Sequence, residues 1–393
     1  MFELDDRLET LRGVSAEMAT EMRGHALAID ARPHEMGPHL KLTAYEAVRL
    51  GSTPLRFTDG PQRHGRYTYP PGSCLDQVVQ TVELAHGDAG VLLAAPGASL
   101  AGILVEHLGD DAQQEHFHRA LADGATWAFF AVTEPERGSD AGMLQTALHR
   151  ESPDLYRLTG TKRYIGSGAR GAIGAVLART GPGPLSLRAA LVHAAAPGFH
   201  GENLDMIGLR GTCLAEIRLD AVPVPADLLL GRHLPPTRRG LWGAARVFNH
   251  MRARVAALAV GTGLALVDLV HAERPNAPGA ARMTARLDAC RSLVYTAGAA
   301  VDRDPDAVRP SSTAKLAAVV LAREAARWAV NALSPAALAE QPLLEKWTRD
   351  VGAFEFMEGT GDIQRQHLAR AYLKGLPQRS PAPVDAHASG GAV

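Results

Sequence analysis

The chain has 393 residues, 46% of them hydrophobic and 21% charged, with a formal net charge of −1. That length carries two or three domains and ample core, and the near-neutral charge argues against nucleic acid or an acidic membrane surface as partner. The acidic start Met1-Phe2-Glu3-Leu4-Asp5-Asp6 lacks a signal-peptide core, no uninterrupted apolar run is long enough for a bilayer, and Cys74, Cys213 and Cys290 are scattered without metal spacing. A cytoplasmic protein with reduced thiols is expected.

Residues 3–30 carry Leu, Met and Ala at helical spacing. The stretch from Arg32 to Gly72 is interrupted by Pro33, Pro38, Pro54, Pro61, Pro70 and Pro71 and reads as irregular. Helix resumes from Ser73, again from Ala98 to His107, and from Gln113 to Ala122. His116 and His118 lie on the last of these without a third ligand nearby, so a partly exposed helix face is the better reading than a metal site.

The pattern changes at Thr126. Thr126-Trp127-Ala128-Phe129-Phe130-Ala131-Val132-Thr133 is a buried-strand run closed by Pro135 and Gly138. Leu144–His149, Leu155–Thr159, Tyr164-Ile165, Ile173–Ala178, Ala189–His193 and Leu214–Leu219 continue the short strands. No helix-length pattern separates them, so an antiparallel, barrel-like sheet is expected.

From Gly240 the chain is Ala-rich and helical over 241–272, 279–301, 311–333 and 342–374, with short breaks, which predicts an antiparallel four-helix bundle. The tail from Pro377 is small, polar and rich in Pro and Gly, and is expected to be disordered. The fold class is thus α+β: a helical domain over 1–125, a β-domain over 126–235, a helical bundle over 236–376 and a tail over 377–393. Gly261-Thr262-Gly263 lacks the third glycine of a dinucleotide loop and sits in a helical run, and no nucleophile elbow or zinc signature occurs.

The stretch Phe354–Arg365 stands out within the last region. Residues 342–357 read as one helix, and Thr360, Asp362 and Ile363 as the cap and first turn of another. Glu358 would then stand at a junction, followed by a glycine that frees the backbone to turn.

Four segments in this order resemble the acyl-CoA dehydrogenase family of flavoproteins. Thr133-Glu134-Pro135-Glu136-Arg137-Gly138-Ser139-Asp140 is similar to its T-E-P-x-x-G-S-D signature, and Gly160-Thr161-Lys162-Arg163-Tyr164-Ile165 to its G-x-K-x-W-I segment. Gly208–Thr212 through Val222-Pro223-Val224-Pro225 and Leu230-Gly231 resembles the close of its β-domain. Glu358-Gly359-Thr360 with Ile363-Gln364-Arg365 resembles its C-terminal motif.

The resemblance implies FAD-dependent α,β-dehydrogenation of an acyl thioester, carried by CoA or an acyl carrier protein. Glu358 would take the α-proton while the β-hydride passes to flavin. It implies flavin contacts at Phe130, Val132, Thr133, Ser139, Tyr164, Gly166, Ser167, Arg274, Thr360 and Asp362. Ser139, Arg252 and Gly359 fall toward the substrate, with the Gly359 N–H available to an enolate-like oxygen. It also implies a homodimer or homotetramer and an electron-transferring flavoprotein as acceptor.

Several positions depart from the family pattern. Gly166 replaces the usual threonine beside the flavin, leaving Ser167 as the nearest hydroxyl. Arg274-Pro275-Asn276 and Asn331–Pro335 replace segments that reach the neighbouring subunit's FAD, which weakens the expectation of cofactor contacts shared between subunits. Two other readings follow: a flavin monooxygenase or oxidase on the same fold, whose members generally lack the glutamate, and a binding protein that has lost FAD.

Overall fold

In the computed structural model, residues 2–375 are described; the tail expected from Pro377 onward lies outside them. Helix α1 (Asp6–Ala31) starts where the Asp5 carboxylate accepts the Leu8 N–H, and it buries Leu8, Leu11, Met22 and Ile29 against α3 (Cys74–Leu93). Between them lie α2 (Thr43–Ser52) and a short hairpin, β1 (Gln62–His64) with β2 (Tyr67–Tyr69). This corrects the irregular reading of 32–72: no proline falls between Pro38 and Pro54, and Ala44, Tyr45 and Ala47 give α2 a buried face. Helices α4 (Ser99–Leu108) and α5 (Asp111–Arg119) follow, α5 opened by reciprocal bonds between Asp110 and Gln113.

The sheet contains β3 (Ala128–Ala131), β4 (Ala147–Ser152), β5 (Leu155–Gly166), β6 (Ile173–Arg179), β7 (Leu187–His193), β8 (Phe199–Asn203) and β9 (Leu214–Pro225). Its order is β3-β6-β4-β5-β9-β8, with β7 also on β6. Most pairs are antiparallel, but β3 runs parallel to β6, from Ala128↔Ile173 to Ala131↔Val176. Strand β8, Phe-His-Gly-Glu-Asn, gave no strand signal because all but its first residue are exposed.

The last region holds α6 (Gly240–Glu273), α7 (Ala280–Arg303), α8 (Val308–Leu333), a single turn α9 (Ala337–Glu340), α10 (Pro342–Ala353) and α11 (Gly361–Gly375). Among the described residues, α6 alone is long and apolar enough to cross a bilayer, but it packs against α3, α7 and α8 and supplies much of the main core. Gly261 serves that packing: a Cβ there would come within 2.2 Å of the Val82 carbonyl on α3. Helix α10 ends at Ala353, ahead of the expected 357, so residues 354–360 form a longer connection than the sequence pattern suggested.

Candidate active site

The connection between α10 and α11 is anchored at both ends. Phe354 is fully buried, and the Glu355 carboxylate accepts the Gly361 N–H at 2.7 Å, capping α11 in the place expected for Thr360. Between these anchors Glu358 has φ +54° and Gly359 φ +94°. A glutamate in the left-handed region is strained, so the surroundings must hold it there. Three side chains do. Arg252 Nε of α6 donates to the Glu358 carbonyl at 3.2 Å, and Gln364 Nε2 of α11 donates to the same carbonyl at 3.2 Å and to that of Gly359 at 2.9 Å. Lys315 Nζ of α8 donates to the Gly359 carbonyl and, at 3.3 Å, to that of Glu355.

The carbonyls of Glu355, Glu358 and Gly359 are thus served by buried donors, while the Glu358 side chain makes no hydrogen bond among the described residues. Burial pushes its carboxyl up to about 7, against the pull of Arg252 and Lys315 toward ionisation. Burial also lowers Lys315 to about 8 and Arg252 to about 10, both opposed by Glu358. The carboxyl therefore titrates near neutral pH, and no described side chain or backbone group hydrogen-bonds its oxygens. That suits proton abstraction from a group brought alongside.

The residues expected to face a flavin fall into two sets. Val132 and Thr133 directly follow β3, and their carbonyls accept from Lys162 Nζ at 3.0 Å and the Arg163 N–H at 2.9 Å. The strand end is thereby bound to β5, which carries Tyr164, Gly166 and, just beyond it, Ser167. Tyr164 (φ +61°) is exposed, and at Gly166 an added Cβ would meet nothing within 4 Å. Ser139 is also exposed. An uncovered aromatic beside an open backbone face is room for a planar ring, so these residues fit a flavin. Phe130 points away, packing its ring 6.0 Å from that of Phe248 on α6. Ser167 is buried, and its hydroxyl accepts from Arg170 Nε at 3.2 Å, so it does not simply replace the missing threonine.

The second set is dispersed. Thr360 and Asp362 lie at the start of α11, Asp362 exposed and paired with Arg365. Arg274 ends α6, about 33 Å along the helix from Arg252 at roughly 1.5 Å per residue, and gives its guanidinium to the Ala332 carbonyl at 2.8 Å. Within one chain it is remote from Glu358.

Glu134, inside the quoted signature, escaped notice as a functional residue. Its buried carboxylate accepts the Gln145 and Thr146 N–H groups, the Thr146 hydroxyl and Lys162 Nζ. Burial disfavours the ion, yet Lys162 and these donors outweigh it and hold the group below the usual carboxylate range. Lys315 and Gln364 were likewise missed, since a lysine within an Ala-rich helix carries no local signal.

Comparison with known proteins places these elements in one family. Sequence profiles described as acyl-CoA dehydrogenase middle domain and C-terminal domain match residues 129–222 and 238–373. A probable acyl-CoA dehydrogenase, YngJ, of Bacillus subtilis is 31% identical over 95% of this chain and 100% of its own. Two solved structures share the fold: the prolyl acyl carrier protein oxidase AnaB (TM-score 0.80, 21% identity, 95% of this chain and 100% of that one) and PigA with FAD and proline (0.81, 20%, 95% and 100%).

Proposed function

From the premise that this chain belongs to the acyl-CoA dehydrogenase family and is an oxidoreductase, we propose that it uses FAD to desaturate an acyl thioester between its α and β carbons, with Glu358 as the base. The observation that carries this reading is the half-buried Glu358 carboxyl, raised to about 7 and flanked by two buried cations.

Bound FAD supplies a hydride acceptor on one face of the substrate; the residues that fit it are Val132, Thr133, Ser139, Tyr164 and Gly166. Glu358 takes the α-proton from the other face. The Gly359 N–H, in the same turn, donates to the thioester oxygen as enolate character develops. A substrate that displaces water from the carboxylate raises its affinity for the proton further, while Arg252 and Lys315 keep the ionised form accessible. A carrier protein in place of CoA is a second reading, supported by the likeness to a prolyl acyl carrier protein oxidase. A homo-oligomer and an electron-transferring flavoprotein as acceptor complete the proposal.

The test is the absorption spectrum of the purified protein, followed by anaerobic addition of acyl-CoA and acyl-carrier-protein thioesters. Bleaching of the flavin by thioester, lost in Glu358→Gln, is the expected result. A protein that takes up no FAD, or a flavin that bleaches as well in the variant, overturns it. Peroxyflavin formation in air without thioester-driven reduction would assign the chain to the monooxygenase reading instead.

A further inference from the structure

The strand that carries Tyr164 and Gly166 leaves the sheet through a backbone that needs a constraint to hold it. Tyr164 (φ +61°) and Ser167 (φ +56°) both sit in the left-handed region, and the pairing of β5 with β9 is irregular between Lys162 and Ile165. Neither residue is a glycine, so each position costs free energy and persists only where its neighbours over-determine it. Ser167 is held through each of its polar groups. Its N–H donates to the carbonyls of Thr212 at 3.0 Å and Cys213 at 3.1 Å, and its carbonyl accepts the Gly171 N–H at 2.7 Å. Its hydroxyl accepts from Arg170 Nε at 3.2 Å.

Arg170 is the member of this set that reaches outside the β-domain. Its Nη1 donates to the Pro33 carbonyl at 3.3 Å, just past the end of α1. Its Nη2 donates to the Gly211 carbonyl at 3.0 Å and, more weakly, to the Ala94 carbonyl at 3.5 Å, just past the end of α3. The guanidinium carbon lies 4.5 Å from the centre of the Trp127 ring, and Trp127 Nε1 donates to the same Ala94 carbonyl at 2.9 Å. Trp127 directly precedes β3. One side chain thus ties the start of β3 and the end of β5, the two strands of the expected flavin wall, to the ends of two N-terminal helices. Cys213 and Tyr45 are the groups that act on its charge, and no carboxylate is among them. The carbonyl end of α3 answers it instead, since the negative end of a helix dipole favours a cation.

We propose that Arg170 is a positioning residue for the cofactor: it fixes the bend at Ser167 that presents Tyr164 and Gly166 to the flavin. It acts through Ser167 and rests on the reading of Tyr164 and Gly166 as flavin-facing. Arginine suits this task because its planar fork serves the Ser167 hydroxyl and the carbonyls of Pro33, Ala94 and Gly211 together, which the single ammonium of a lysine does not. The opposite face of the site is built the same way, with Arg252 holding the left-handed Glu358. Without Arg170, Ser167 relaxes toward an ordinary backbone conformation, and Gly166, joined to it directly, turns with it.

The test measures FAD affinity on reconstitution of the stripped protein, the visible circular dichroism of the bound flavin, and the melting temperature. Arg170→Met should weaken FAD binding about ten- to a hundredfold, the equivalent of one strained backbone position left unsupported, and alter the flavin dichroism at saturation. Arg170→Lys keeps the charge without the fork and should recover only part of the affinity. The deciding arm adds Ser167→Gly to Arg170→Met. Glycine takes a positive φ without strain, so FAD affinity should largely return. The melting temperature should stay depressed, because the carbonyls of Pro33, Ala94 and Gly211 still lack their donor. If Arg170 only holds the fold together, affinity and stability fall together and glycine restores neither; that result overturns the assignment. FAD affinity unaltered by Arg170→Met overturns it as well and leaves the proposed reaction standing. Should Arg170→Met fail to fold, Arg170→Lys decides: weakened FAD binding supports the assignment, and the affinity of the unsubstituted protein overturns it. An unsubstituted protein that takes up no FAD removes the reading of the wall and the assignment together.

Discussion

Lys315 reaches from α8 to give its Nζ to the carbonyl of Gly359, so a helix of the bundle sets the turn that presents Glu358. The same ammonium is one of the two cations drawing that carboxyl toward ionisation; Arg252 of α6 is the other. Glu355 also faces Lys315, and His367 of α11 lies toward Arg252. Lys315→Met removes a donor and a charge together. The Glu358 pKa then rises above about 7, and the acid limb of the kcat/KM profile should move to higher pH by about one unit. Lys315→Arg, which keeps the charge, should move it much less. An unshifted limb in Lys315→Met would show that Lys315 does not act on the base.

Glu358 should also leave a mark on stability. Its ordinary carboxyl value of 4.5 rises to about 7 in the folded protein, chiefly through burial, so folding favours the protonated form. The stability this provides is complete below about pH 4.5 and is lost as pH climbs through about 7. Glu358→Gln is never ionised. Its melting temperature should therefore match that of the unsubstituted protein near pH 4.5, pull ahead between there and pH 7, and hold a constant lead above. Activity should fall by about 10²- to 10⁴-fold at every pH. A lead that shrinks as pH rises would contradict the raised pKa.

The buried pair beneath the expected flavin wall makes a separate prediction. Glu134 binds the Gln145 and Thr146 backbone and, through Lys162, the Val132 carbonyl, so it locks the end of β3 against β5. Lys162 is fully buried, and burial lowers it to about 8 against the pull of Glu134. Glu134→Gln leaves that ammonium without its counter-ion and loosens Val132 and Thr133. FAD should dissociate more readily, read as a weaker Kd on reconstitution of the stripped protein, with Glu358 chemistry intact once flavin is saturating. Unchanged FAD affinity would confine Glu134 to the fold.

Much of this architecture was legible because its signals are local. Leu343, Leu344, Trp347 and Val351 mark α10 by spacing, and the T-E-P-x-x-G-S-D stretch and Glu358-Gly359-Thr360 mark the site by their order along the chain. What escaped depends on contacts distant in sequence. The left-handed turn at Glu358 is imposed by Arg252 and Lys315, 106 and 44 residues from the carbonyls they hold. Ser167 looked like a substitute hydroxyl until Arg170 claimed it, and α2 hid between prolines that bound it but do not enter it. Spacing reports which face of an element is apolar; it does not report what a buried polar group will meet.

The charge network that joins the first helices to the last ones gives the largest expected effect on stability. Lys346 of α10 donates to Asp88 of α3 at 2.7 Å and to Asp350 one turn on at 2.7 Å, and all three side chains are at most 2% exposed. Asp88 sits at a break in α3 (φ −171°, ψ 123°), where its carboxylate also accepts the Val91 N–H and the Trp347 indole N–H. Asp350 accepts the Leu209 N–H. Two acids thus share one ammonium. Asp88 and Asp350 outweigh burial and keep Lys346 charged, whereas burial and Asp88 together raise Asp350. Lys346→Met leaves two buried carboxylates facing each other, and should cost about 3–5 kcal/mol in urea unfolding with an unchanged slope. Replacing all three charged residues with apolar ones of similar size should cost far less, since the penalty comes from the stranded charges rather than from the lost pair. A single variant no less stable than the triple would show that the network contributes attraction alone.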